Sequence, residues 1–171
     1  MAEMNKTKRL AFMALLTAMA LTIFVLEAQI PAPIPVPGVK LGLSNVITLT
    51  AMLLLGRREA VIVLLLRIIM GAMFTGSPSA LIYSISGGVL AYAVMCLLIK
   101  AFPEKLVWVV SALAAVAHNV GQITAAAFVV KTPALFTYYL PILAAAGIVT
   151  GVFTGIVATY LVRALRKVMK K

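Results

Sequence analysis

The chain has 171 residues, 64% of them apolar and 11% charged, and its 15 Lys and Arg against 4 acids give a formal charge of +11. That apolar fraction lies outside the range of a soluble domain. The basic excess therefore reads as flanks beside anionic lipid, with no nucleic-acid partner expected.

Runs of about 18 or more apolar residues read as bilayer spans. In chain order the candidates are 9–29, 42–56, 59–75, 79–100, 105–130 and 135–162. The expected fold class is an all-α integral membrane protein with six transmembrane helices in one compact bundle, a single domain over residues 1–171.

The first stretch has a basic start and an apolar part, Leu10 to Leu26, which also describes a signal peptide. It is longer than a typical signal core, and its removal would leave an odd number of spans with mis-sided charges, so it reads as the first span. It carries Ala14 and Ala18, an A-x-x-x-A face that permits close helix approach, by default inside the bundle. Glu27 and Gln29 stand at its far end. Alternating prolines from Pro31 to Pro37 then favour a stiff, extended path. That segment is either a tight crossover or a lid over a pocket mouth.

The second stretch is short, and Ser44 and Asn45 at its start suit a helix that opens on a cavity. After the Gly56–Glu59 turn, the third carries Arg67 near its middle. Ser77 or Ser79 can cap the fourth helix, with Pro78 in its first turn. Ser84 and Ser86 are expected to bond back to their own helix. The fifth carries His118, Asn119 and Gln122 on one stripe, by their i,i+3 and i,i+4 spacing. Trp108 sits near an interface, as the aromatic belt predicts; Tyr138 and Tyr139 either do the same at the opposite face or line a site. Gly147, Gly151 and Gly155 form a second small-residue ridge, on the sixth stretch.

Charge placement fixes an expected topology. With a cytoplasmic N-terminus, only Lys40 and Lys131 fall outside and only Arg67 lies within a span; every other basic residue faces the cytoplasm. That bias is the positive-inside rule, and an even span count leaves both termini in the cytoplasm of a cell-membrane protein.

Several chemistries lack their residues. No G-x-x-x-x-G-K-[ST] phosphate loop is present. There is no aspartate, and of Glu3, Glu27, Glu59 and Glu104 only Glu27 approaches a span, so Mg²⁺-diphosphate chemistry has no carboxylate cluster. One histidine and one cysteine, Cys96, leave no metal set and no intrachain disulfide. The chain is not expected to be an enzyme or to need a cofactor.

Buried polar side chains in a membrane protein usually face a partner or a cavity. Here they gather in the half away from the basic flanks. The candidate substrate-binding residues are Glu27, Gln29, Asn45, Arg67, His118, Asn119, Gln122 and Tyr138. Each has a plainer reading: Arg67 paired with Glu27 or with carbonyls, His118 a satisfied buried imidazole, Asn119 and Gln122 interhelical glue.

Six short-looped spans, basic inner flanks, the first-helix Ala14-x-x-x-Ala18 and the long first outer loop resemble the substrate-binding S components of energy-coupling-factor (ECF) transporters. More narrowly, Lys40-Leu41-Gly42-Leu43-Ser44-Asn45, Leu55-Gly56-Arg57-Arg58-Glu59-Ala60, Leu66-Arg67 and Gly76-Ser77-Pro78 through Gly87-Gly88 resemble the subgroup labelled heptaprenyl diphosphate synthase component I or Gx transporter. The likeness runs over about 8–165. It implies capture of a vitamin-like small molecule from outside. It also implies docking through Ala14 and Ala18 on a transmembrane coupling (T) subunit that works with two cytosolic ATPases. The rivals are a non-transporting membrane subunit of a prenyl diphosphate or quinone-related complex, and a stand-alone channel or carrier.

Overall fold

A computed structural model describes residues 5–30 and 40–169. The proline segment from Pro31 to Val39, with its crossover and lid readings, lies outside the described residues.

The described chain is all-α. Its helices are α1 (Lys6–Glu27), α2 (Asn45–Leu54), α3 (Arg57–Thr75), α4 (Pro78–Leu98), α5 (Val107–Val130) and α6 (Ala134–Met169), with a 3₁₀ turn at Glu104–Leu106 ahead of α5. Local chemistry sets several ends. Asn5 caps α1 through Thr7 N, and Ser77 caps α4 by accepting from Ala80 N at 3.3 Å, with Pro78 in the first turn. Gly76 ends α3 in the left-handed region at φ 60, which glycine enters without a Cβ penalty.

Four of these helices, α1, α4, α6 and the Glu104–Val130 stretch, are long and apolar enough to cross a membrane. Their outer faces carry bare hydrocarbon: Phe128 is 85% exposed, Leu97 74% and Val149 71%. Water would not tolerate such a surface at this density, so the protein belongs in a bilayer.

α2 departs from the expected 42–56 span. It has ten residues, about 15 Å at 1.5 Å per residue, roughly half of a hydrocarbon core. Gly42 at φ 81 and a turn at Leu43-Ser44 keep the preceding chain out of the helix. All of α2 except Leu53 is buried, and it touches each of the other five helices. The remaining helices adjoin in the order α1, α3, α4, α5, α6 around it.

The ends of the bundle differ. At one end Arg9 of α1 pairs with Glu59 of α3, Arg57 donates to Cys96 O at 2.5 Å, Tyr92 donates to Arg57 O at 2.8 Å, and Arg166 reaches Glu104 at 2.6 Å. Above this basic end lies an apolar core that includes Leu16, Ile47, Leu49, Val63, Met95 and Val110. Its hydroxyls are satisfied locally: Thr17 bonds Met13 O, Thr50 bonds Val46 O, and Ser111 meets Thr154 at 3.0 Å.

The two small-residue ridges part company. A Cβ added to Gly151 or Gly155 would stand 2.5 Å from the Cα of Ala112 or Trp108, so that ridge is the α5–α6 contact itself. Ala14 and Ala18 are exposed on the outside of α1. The default of internal packing therefore holds for the glycines and not for the alanines.

Candidate ligand site

The end opposite the basic residues is built around the five residues that precede α2. Glu27, the last residue of α1, turns inward and is 3% exposed. Its Oε1 accepts from the backbone N–H of Gly42, and from Leu43 N at 3.1 Å. Those amides lie at the positive end of α2, where an anion is favoured. From α5, the Gln122 side chain grips the Lys40 peptide twice: Lys40 N donates to Oε1 at 2.8 Å and Nε2 donates to Lys40 O at 2.7 Å. From α3, Arg67 Nη1 donates to Ser44 Oγ at 2.5 Å. Segment 40–44 is thus pinned between three helices by side chains that the sequence marks as substrate contacts.

Gly42 is needed here twice over. Its φ of 81 suits glycine, and a Cβ would stand 2.8 Å from His118 Cδ2 and 3.0 Å from Asn45 Nδ2. Gly87 of α4 makes room on the opposite side, where a Cβ would meet His118 Cε1 at 2.9 Å and Gln122 Cγ at 2.8 Å. Phe24, one turn before Glu27, places its ring 3.2 Å from Lys40 Nζ and 5.6 Å from the Arg67 guanidinium carbon. Both cations thereby gain the negative face of one ring.

Among the described residues the ion pairs are those of the basic end, Arg9–Glu59 and Arg166–Glu104. Arg67 is 2% exposed, yet it is not neutralised by direct contact with Glu27. Among the described residues seven buried side-chain atoms have no hydrogen-bond partner: Glu27 Oε2, Asn45 Nδ2, Thr48 Oγ1, Arg67 Nε and Nη2, His118 Nδ1 and Asn119 Oδ1. Five of the seven, those of Glu27, Asn45, Arg67 and His118, belong to side chains that contact segment 40–44, whereas Thr48 lies on α2 and Asn119 turns to α6. An unpaired buried polar atom costs about 1–3 kcal/mol. Seven together therefore rival the whole stability of a typical domain, about 5–15 kcal/mol. Unpaired polar atoms at this density mark the region as a candidate ligand site.

Six of the eight residues read from the sequence are buried here: Glu27, Asn45, Arg67, His118, Asn119 and Gln122. They do not all face one way. His118 and Gln122 address segment 40–44 and Gly87, whereas Asn119 turns to α6 and donates from Nδ2 to Leu143 O at 2.6 Å. Gln29 and Tyr138 are exposed, Tyr138 by 70%, and stand outside the cluster. Tyr139 packs instead with Tyr83 and Ile123. Ser86 bonds across to Gly121 O of α5 at 2.7 Å, not back into its own helix. Phe24, Lys40 and Thr48 join the site unannounced. The i,i+4 pair Ser44/Thr48 was the available signal for the last of these.

The profile of the family described as heptaprenyl diphosphate synthase component I matches residues 16–161. No curated protein and no solved structure matches the chain.

Proposed function

The chain belongs to the heptaprenyl diphosphate synthase component I family, and on that premise we propose that it is the substrate-binding membrane subunit of an ECF-type importer. The supporting observation is the set of unpartnered polar atoms on Glu27, Asn45, Arg67 and His118, side chains that meet around segment 40–44. A small molecule that satisfies them gains the hydrogen bonds the fold leaves open. Beneath the cluster the buried hydroxyls of Thr17, Thr50, Ser111 and Thr154 are hydrogen-bonded within an otherwise apolar core, which argues against a channel.

The proposed topology has six crossings of the cell membrane, with the basic end and both termini cytoplasmic. The second crossing combines α2 with segment 40–44: about 15 Å of helix and up to about 16 Å of extended chain cover a core of about 30 Å. Non-helical backbone at that depth is tolerable because protein surrounds it. The site then opens outward, and the exposed Ala14/Ala18 face is the docking surface for a transmembrane coupling subunit that works with two cytosolic ATPases. No phosphate-loop motif occurs in the chain itself, so ATP hydrolysis falls to those partners.

The family description favours one other reading, a membrane subunit that accompanies a prenyl diphosphate synthase. In either case this chain is proposed to bind and not to catalyse. The cluster has a single carboxylate, Glu27, and one of its oxygens already holds Gly42 and Leu43. Native mass spectrometry of the protein released from mild detergent tests the importer reading. It expects a retained small molecule that is lost in Arg67→Ala. A molecule retained equally by that variant, or an empty protein that co-purifies with a synthase, would sink it.

A further inference from the structure

Resting on that reading, we infer that the ligand carries a single planar carboxylate as its polar head, gripped by the free edge of Arg67. Arg67 uses Nη1 on Ser44, while Nε and Nη2 are both buried and unpartnered. Those two nitrogens share the side-on edge of the guanidinium, whose parallel N–H groups match two oxygens of one planar anion. A further unpartnered donor of the same cluster is Asn45 Nδ2, beside Gly42. Three unused donor nitrogens thus stand against one unused carboxylate oxygen, Glu27 Oε2, with the ring nitrogen His118 Nδ1 able to serve either way.

Charge sets the number of negative groups. Counted at formal charges, the site holds Arg67 and Lys40 against Glu27. One added negative charge brings this set to neutrality. A prenyl diphosphate would leave it strongly negative in a region of low dielectric, where uncompensated charge is heavily penalised. The head group is therefore a monoanion, and the diphosphate in the family description is a poor fit to this site. Phe24, on which both cations rest, suits an aromatic or otherwise apolar remainder.

Thermal unfolding of the purified full chain, at matched ionic strength and pH 7, tests this with probes at about 20 mM. Benzoate is compared with benzamide, phenyl phosphate and geranyl diphosphate. Benzoate is expected to raise Tm by about 2–4 °C, more than any other probe, and to lose that effect in Arg67→Lys, which keeps the charge without the two-pronged edge. Glu27→Gln, which keeps an acceptor for Gly42 and Leu43, should shift the preference to the phenyl phosphate dianion. Equal protection by benzamide, or greater protection by geranyl diphosphate, overturns the carboxylate inference and leaves a binding subunit standing. If no probe shifts Tm, the molecule retained in native mass spectrometry decides. A monocarboxylate upholds the inference, and a neutral or multiply charged molecule overturns it alone. No retained molecule and no shift overturn the binding reading as well.

Discussion

The two halves of the bundle solve the same problem, polar atoms inside an oily protein, in opposite ways. At the basic end polar groups are matched locally: Arg9 with Glu59, Arg57 with Cys96 O, Ser111 with Thr154. At the other end Arg67, Asn45, Thr48 and His118 are buried with bonding capacity unused. The first arrangement holds helices together. The second leaves buried bonding capacity open, so the proposed function assigns binding to one end of the molecule and cohesion to the other.

Breaking the incomplete half should have the largest effect on binding and a small one on folding. Arg67→Met removes a buried charge that lacks a direct counter-ion, and with it the desolvation cost that the fold carries for it. We expect retention of the bound molecule to fall by about 100-fold or more, consistent with about 2–5 kcal/mol for a desolvated charged contact. Tm should be unchanged or higher. A lower Tm together with intact binding would assign Arg67 to packing.

The packed half should respond the other way. Gly151→Ala pushes a methyl group against the backbone of Ala112, and overpacking of this kind costs about 1–3 kcal/mol. A fall of several degrees in Tm with unaltered ligand retention is the expected result; loss of retention at unchanged Tm would erase the division between the halves.

The smallest effect on the isolated chain is expected from Ala14→Trp combined with Ala18→Trp. Both positions are exposed, so Tm and ligand retention should not move, while pull-down of the coupling subunit should fail. Assembly that survives both substitutions places docking elsewhere.

Much of this was legible in the residues. The gathering of Glu27, Arg67, His118 and Gln122 away from the basic flanks followed from span order and charge, because depth along a helix needs only a rise per residue. Two things did not follow. Counting depth from residue 42 assumed a helix that Gly42 interrupts, so the short α2 and the pinned segment ahead of it were missed. Direction around a helix axis was the other gap. Nothing in the chain distinguishes exposed Tyr138 from its inward neighbour Tyr139, or says that Asn119 faces α6 while His118 faces segment 40–44. Those facts depend on which helix lies alongside, and pairing is decided by Gly87, Gly121 and Gly151 acting together.

The grip of Gln122 on residue 40 has one more consequence. It engages only main-chain atoms, as a neighbouring β-strand would, and is indifferent to the side chain that residue bears. A change of the lysine side chain therefore alters the charge beside Phe24 without loosening the hold on the main chain of residue 40.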